Sequence, residues 1–442
     1  MKLTAKKKEI VKWSVYWGVF FLFYIVASAV LGNFELYAFI LAVAAVNCAV
    51  RVAAGFLIRR QSSKRLRYSL IAGVNVLTLA AIFVFGYVTA VNGSDGNMKR
   101  IATYDFGVFE HTSEYSYNSE TGVYTVTSNN DEFKILQLTD VHICASINTS
   151  STDKKAFDAC YALIKDAQPD LIIVTGDIAY TMWIETFSVN NRKPMQQFCT
   201  FMSNVGIPWA MVYGNHDTDP GAMYDAAVMN DMLGRFAGDS PLLYADKQPN
   251  IYGRYNQYIR VENADGSLNR VLFLIDSNDY PRGSNALSAM TLKYDRVHDD
   301  QIEWYSNSID ELSAGNNEPI RSFVYMHIPF EAFDEAQTAL ANGEPDAVYL
   351  FGSNNEGVCC PDVESGFFDK IIEKHSTDAV FVGHDHLNTM GVKYKGVDLV
   401  YSKSIDFSAY PRILQKTEQR GATLVTLERS GDYRIEQIDY VG

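Results

Sequence analysis

Six short runs constrain this chain more than anything else in it: FKILQLTDVH (133–142), DLIIVTGDI (170–178), IPWAMVYGNHD (207–217), RVLFLIDSND (270–279), RSFVYMHIP (321–329) and AVFVGHDH (379–386). Each is apolar almost without interruption and then ends in polar residues. Such runs suit strands covered on both faces, as in α/β proteins whose sheets are flanked by helices. Sheets of that kind bind ligands outside the carboxyl ends of their strands, where these polar residues sit. Helices are predicted at 153–167, 298–313 and about 366–375, and further strands at 397–402, 422–428 and 433–440. Residues 132–442 are therefore expected to form one α/β domain.

The first ninety residues obey different rules. Segments 13–31 and 68–91 contain no charge, and each reaches the roughly 20 residues that cross a bilayer as a helix. Segment 36–58 is apolar except for Arg51, placed where its side chain can snorkel toward a headgroup layer. Three transmembrane helices are expected (about 13–31, 36–58 and 68–91), with a cleaved signal peptide as the alternative for the first, since Ala27-Ser28-Ala29 looks like a cleavage site. Basic residues cluster at Lys2–Lys12 and at 59–67, so the positive-inside rule puts both clusters in the cytoplasm. Everything after residue 91 is then extracytoplasmic, in a multi-pass protein of the cell membrane. Residues 92–131, rich in Ser, Thr, Asn, Gly and Tyr, are expected as a juxtamembrane spacer with one hairpin-like stretch.

Charge divides at the same place. Residues 1–100 hold 13 Lys/Arg against 3 Asp/Glu, and the remainder 25 against 49. A domain carrying minus 24 repels phosphate backbones, which excludes general nucleic-acid binding unless bound cations reverse the sign locally. The six cysteines show no Cys-x-x-Cys spacing, so neither a disulfide framework nor a zinc ribbon is indicated, and the adjacent Cys359 and Cys360 are given no role.

Five of the strand ends present Asp140 and His142; Asp177; Asn215, His216 and Asp217; His327; and His384 and His386. Carboxylate, imidazole and amide ligands together suit divalent Mn, Fe or Zn, and seven potential ligands are too many for one ion. The motifs Asp-x-His, Gly-Asp, Gly-Asn-His-Asp, His-x-Pro and Gly-His-x-His, in that order over residues 133 to about 410, resemble the calcineurin-like metallophosphoesterases. The local sequences look most like the branch near purple acid phosphatases and the yeast Dcr2-type phosphatases.

The resemblance implies a four-layer α/β/β/α sandwich holding two divalent metal ions (Mn, Fe or Zn). Asp140, His142 and His386 would hold the first and Asn215, His327 and His384 the second, with Asp177 bridging. Its two anionic oxygens can serve two cations ~3.5–4 Å apart. The implied activity is hydrolysis of a phosphate ester, a phosphomonoester first and a phosphodiester as the alternative, by a metal-bound hydroxide without a covalent intermediate. His216 would act on the phosphoryl oxygens or the leaving group, and Asp217 would orient it. A metal-free pseudoenzyme serving as a membrane-attached binding module is the reading from a different class.

Some residues near the motifs are read as structural. Gly176-Asp177-Ile178-Ala179-Tyr180 resembles the Gly-Asp-x-x-Tyr motif in which a tyrosine binds ferric iron. His142 can fill that coordination place, so Tyr180 is expected to pack, with ligation as the alternative. Asn388 and Glu331 are expected to cap loops rather than line a substrate pocket. His111, His298 and His375 lie outside every motif and are expected at the surface or at helix ends.

Overall fold

In a computed structural model, residues 63–109, 113–284, 293–410 and 419–442 are described. The six apolar runs alternate their side chains between two different cores, which explains why they carry no polar face. In β4 (Leu171–Thr175), Leu171 and Ile173 point into one core while Ile172 and Val174 point into another. In β10 (Thr377–Val382), Ala379 and Phe381 share the first of these cores, and Val380 and Val382 enter a third. A strand that must satisfy two apolar layers reads as an unbroken apolar run.

Two mixed sheets result. The smaller contains β3 (Glu132–Leu138), β4, β5 (Trp209–Val212), β13 (Gly421–Glu428) and β14 (Tyr433–Asp439) in the order β14-β13-β3-β4-β5, with β3, β4 and β5 parallel. The larger has nine strands: β1 (Glu114–Asn118), β2 (Val123–Ser128), β6 (Gln257–Asn263), β7 (Leu268–Leu274), β8 (Ser322–Tyr325), β9 (Ala347–Phe351), β10, β11 (Gly391–Tyr394) and β12 (Val397–Tyr401). Their order is β1-β2-β6-β7-β8-β10-β12-β11-β9. β7, β8, β10 and β12 run parallel.

The sheets face each other across a core that includes Ile135, Val212, Leu272, Phe323, Phe381 and Val425. Helices Ser150–Ala167, Arg192–Val205 and Ala226–Asp239 cover the outer face of the small sheet. Helices Asp299–Ser313, Ala332–Asn342 and Phe367–Lys374 cover that of the large one. The order of layers is α/β/β/α. Gln137 crosses the seam, its amide donating to Thr175 Oγ1 at 2.9 Å and to the Val382 carbonyl at 3.2 Å.

Strands β6, β9 and β11 and helices Arg192–Val205, Ala226–Asp239 and Ala332–Asn342 lie where no element was predicted. Residues 92–131 also differ from expectation, because they are built into the domain rather than standing as a spacer. The hairpin β1–β2 forms and extends the large sheet, β2 pairing parallel with β6. Helix Gly96–Ile101 is fixed by Asn97, whose buried amide donates to Asp153 at 2.9 Å and Gln197 at 2.8 Å.

The expected spans 13–31 and 36–58 lie outside the described residues. The third falls on helix Lys64–Asn92, begun by the Ser63 hydroxyl, which accepts from the Leu66 amide. Side chains at ten of its positions lie outside the described residues. Among the described residues no helix is long and apolar enough to cross a membrane, so they do not support the expected anchor.

The inter-sheet core can be weighed at Phe381, which is fully buried, stacked on Tyr325 (4.8 Å between centroids) and edge-on to Phe323 (5.4 Å). Phe381→Ala is expected to destabilise the domain by about 3–5 kcal/mol, read as a lowered urea midpoint with unchanged slope.

Candidate metal centre

The loops leaving β3, β4, β5, β8 and β10 meet at the seam between the two sheets. There the ligand atoms of Asp140, His142 and His386 lie within 4.8 Å of one another, and so do those of Asp177, His327 and His384. One atom joins the two groups: Asp177 Oδ2 stands 3.2 Å from His142 Nε2 and 3.2 Å from His327 Nε2. Asn215 completes the second group, its Oδ1 lying 3.1 Å from His327 Nε2. All seven expected ligands come together in the partition that the resemblance implies.

The backbone is bent sharply to achieve this. Asp140, His142, Asp177 and His384 have φ of 52°, 53°, 52° and 72°, a left-handed conformation that non-glycine residues seldom hold. Strain of this kind persists where surrounding contacts over-determine it. Two glycines permit the close approach. A Cβ on Gly214 would collide with the backbone and carboxylate of Asp177, and one on Gly383 with the Thr139 hydroxyl.

Hydrogen bonds assign each ligand's free atom. Asp140 Oδ2 accepts from the Thr139 hydroxyl at 2.8 Å and the His384 amide at 3.1 Å, whereas buried Oδ1 has no hydrogen-bond partner and lies 3.3 Å from His386 Nε2. His327 Nδ1 donates across the seam to the Thr175 carbonyl at 2.7 Å, leaving the Nε2 lone pair facing Asp177. The Asn215 amide nitrogen donates to the Tyr280 hydroxyl at 3.4 Å, which turns the carbonyl oxygen inward.

Charge is balanced in the same way. Burial works against the Asp177 carboxylate, but His327 and His216 hold it well below the usual range. Burial, together with His327, drives His384 far below the ordinary imidazole range, so it is neutral, the form that binds metal. An anionic oxygen shut away from water with no donor, beside imidazoles whose lone pairs converge, fits divalent cations.

One expected role moves to another residue. The Asp217 carboxylate accepts the amides of Gly214 (2.8 Å), Ala179 (2.9 Å) and Asp177 (3.1 Å) and clamps two ligand loops together. Asp219 is the residue that meets the imidazole, with Oδ2 2.6 Å from His216 Nδ1. The turn His216–Thr218 carries Asp217 under the loop and brings Asp219 back beside the ring. Burial opposes a charge on His216, yet Asp219 and Asp177 outweigh it and raise the group to about 9.

Asp406 was not foreseen. Its carboxylate lies 3.2 Å from His386 Nδ1 and 3.7 Å from His142 Nδ1, and it accepts the amides of Ser408 and Ala409 at 2.7 Å. It braces His386 from behind through a hydrogen bond and lies near His142. Arg254 was also missed. Its guanidinium donates to the Gly214 carbonyl at 2.8 Å while paired with Asp276, bracing the loop of Asn215 and His216.

The remaining candidates are structural. The Tyr180 hydroxyl donates to Glu185 while its ring stacks on His142 at 5.0 Å, so it packs against a candidate ligand. Asn388 Oδ1 accepts the amides of Asn355 and Glu356, and Glu331 accepts from Ser365; both secure loops. His298 begins helix Asp299–Ser313 and His375 ends helix Phe367–Lys374. His111 lies outside the described residues. Cys359 and Cys360 are unbridged.

A family profile described as "Calcineurin-like phosphoesterase" matches residues 133–388. The chain is 29% identical over 311 residues to "Probable inactive purple acid phosphatase 14" of Arabidopsis thaliana, covering 64% of this chain and 72% of that protein. It is 25% identical over 278 residues to "Phosphatase DCR2" of Saccharomyces cerevisiae, covering 58% of this chain and 44% of the relative. Among solved structures, a dimetal phosphatase from Danio rerio aligns with 70% of this chain and 99% of its own, at a TM-score of 0.41 and 12% identity.

Exchanging the two carboxylates separates their roles. Asp219→Asn is expected to keep the bound metal, reduce kcat by roughly 10–100-fold and shift the alkaline limb of the pH profile downward. The sign follows from His216: a carboxylate that raises its pKa keeps the acid form to higher pH, and removing that carboxylate ends this range earlier. Asp217→Asn is expected to lose metal as well, measured by elemental analysis, because three amides lose their anionic acceptor.

Proposed function

Since this chain belongs to the calcineurin-like phosphoesterase family and is a hydrolase acting on phosphoric ester bonds, we propose that it hydrolyses a phosphomonoester at a dinuclear metal centre. The observation that carries this reading is the convergence of seven ligand side chains in two groups that share Asp177 Oδ2. Asp140, His142, His386 and Asp177 would hold one divalent cation, and Asp177, Asn215, His327 and His384 the other. When bound, such a pair supplies Lewis acidity toward a phosphoryl group and lowers the pKa of water.

The chain's own residues account for the proton. His216 Nδ1 is engaged by Asp219, and the ring stands edge-on to His142 at 5.5 Å. With Nδ1 engaged by Asp219, which favours the charged ring, His216 is suited to pass a proton to a departing alkoxide. Tyr280 and Tyr294 border the second group, Tyr294 edge-on to His384 at 4.7 Å.

Phosphodiester hydrolysis at the same ligands is the second reading. A non-catalytic binding module is the third, and the names of the Arabidopsis relatives favour it. Against it stands the complete ligand set, which a pseudoenzyme has no reason to retain. The natural metals are proposed as Mn, Fe or Zn from the mixed carboxylate, imidazole and amide donors.

Location is part of the proposal: attachment to the cell membrane through residues 1–91, with the catalytic domain outside the cytoplasm. The uncharged runs and the basic clusters support it, as does helix Lys64–Asn92, where Tyr68, Leu70, Val76, Leu77, Val84 and Val88 are all exposed. Apolar surface on that scale needs an apolar partner. Protease added to intact cells or spheroplasts is expected to reach the domain.

One experiment addresses the chemistry. Given an aryl phosphate and a bis-aryl phosphate, the chain is expected to favour the monoester, to lose activity to a chelator and to regain it with Mn, Fe or Zn. Asp177→Ala is expected to lose metal and turnover together. His216→Ala is expected to keep both ions while kcat falls about 10²–10⁴-fold. Wild-type rates in either variant would contradict the assignment.

A further inference from the structure

The loops that carry the ligands are also the loops to which the end of the long helix is fastened. The Ser94 amide donates to the Ala145 carbonyl at 2.6 Å, three residues beyond the ligand His142. The Val189 amide donates to the Ala90 carbonyl at 3.1 Å, and the Met223 amide to the Val189 carbonyl at 2.7 Å. The helix end, the loop after Asp177 and the loop after His216 therefore form one hydrogen-bonded run. Asn190 adds a side-chain bond to the Val91 carbonyl at 2.6 Å. Asp153, held by Asn97, accepts the amides of Cys144 and Ala145 at 3.0 and 2.8 Å. Ala90 itself is buried.

The helix is thus joined to the metal-bearing end of the domain without a free tether. Three extended residues span at most ~11 Å, which bounds the distance between Ala145 and His142. Upstream, the uncharged stretch 68–91, on which the proposed membrane attachment rests, ends at Val91, where the catalytic loops take hold. The loop after His142 exposes Ile147 (42%), and the loop after His216 exposes Met223 (44%). Other exposed apolar residues of the domain include Tyr115, Val228, Val363 and Val441, as well as Val348 and Tyr349 on β9 at the edge of the large sheet.

We infer that the metal centre opens onto the membrane surface and that its substrate is a phosphomonoester carried by a lipid of the adjoining leaflet, with Ile147 and Met223 seated among the headgroups. The inference rests on the proposed monoesterase activity and membrane attachment, and adds to them the substrate class and the presenting surface. A mouth held beside the headgroups would meet esters in that layer before esters in bulk water. Hydrolysis would add a water oxygen to phosphorus and break the bond between phosphorus and the lipid's alkyl oxygen. That oxygen takes a proton from His216, and the products are a lipid alcohol and inorganic phosphate.

The test uses the full chain in lipid nanodiscs containing long-chain phosphatidic acid, with dibutyryl phosphatidic acid and an aryl phosphate in solution as comparisons. The long-chain ester is expected to be the preferred substrate. The double variant Ile147→Asp, Met223→Asp is expected to slow it roughly tenfold or more while leaving aryl phosphate turnover unchanged, since each side chain loses an apolar contact. Independently of activity, Ile147→Trp is expected to add emission quenched by brominated lipid, and Tyr349→Trp emission that is not.

Turnover of the soluble esters with none on the long-chain ester, an equal loss on all three in the double variant, or no quenching at Ile147→Trp would each overturn the inference while leaving the hydrolase reading intact. Preference for a membrane-tethered phosphopeptide over the lipid would overturn it as well. Failure on every ester, the aryl phosphate included, would instead defeat the activity on which it rests.

Discussion

A single carboxylate oxygen, Asp177 Oδ2, sits 3.2 Å from imidazole nitrogens that arrive from opposite sheets. His142 follows β3 of the small sheet, and His327 follows β8 of the large one. Neither histidine can be placed without the seam, and the seam has no polar business at that depth except to hold them. The cost is visible in four ligands with left-handed backbone, each a strain of order 1 kcal/mol or more. It is offset by carboxylates whose only partners are amides: Asp217 with three, and Asp153 with two plus the Asn97 side chain. These bonds work against burial, which still raises both carboxyls to about 6. The loops are therefore positioned by hydrogen bonds that involve no cation.

What the sequence disclosed followed from burial. Strands with both faces covered announce themselves as apolar runs, and β3, β4, β5, β7, β8 and β10 were found for that reason. β6 alternates buried and half-exposed residues through QYIRVEN, with charges on its outer face, and passed unnoticed. Helix Ala226–Asp239 contains Gly234 and Gly238, residues that lower helix propensity by about 1 kcal/mol each, and the sequence predicts no element there. The hairpin at 114–128 looked like a spacer because β1 is almost wholly exposed, yet its partner β2 is buried and paired to β6.

The ligands were legible because each combines a donor chemistry with a strand end. Their supports were not. Asp217 and Asp219 are equally plausible partners for His216 on paper, and only the direction of the turn at 216–218 decides between them. Asp406 lies twenty positions after His386, in a segment with no motif, and reaches the site through the far nitrogens of two rings. Arg254 acts through a backbone carbonyl, an interaction that carries no sequence signature. In each case the missing information is which way a short turn faces, a tertiary property that residue types leave open.

The acidity of the domain bears on how an anionic ester reaches these ligands at all. Beyond the Debye length of about 8 Å at physiological salt, the minus 24 carried after residue 100 is largely screened, and approach is nearly neutral. Inside that distance Asp140, Asp177, Asp219 and Asp406 act directly, each faced by a histidine that offsets part of its charge. Two divalent ions reverse the local sign, so affinity for substrate depends on metal occupancy more steeply than the chemical step alone requires. An acidic shell around a cationic centre also weakens long-range steering, which favours esters brought close by some other constraint. Fastening the ligand loops to the end of an apolar helix supplies such a constraint through covalent connection and hydrogen bonds rather than through charge.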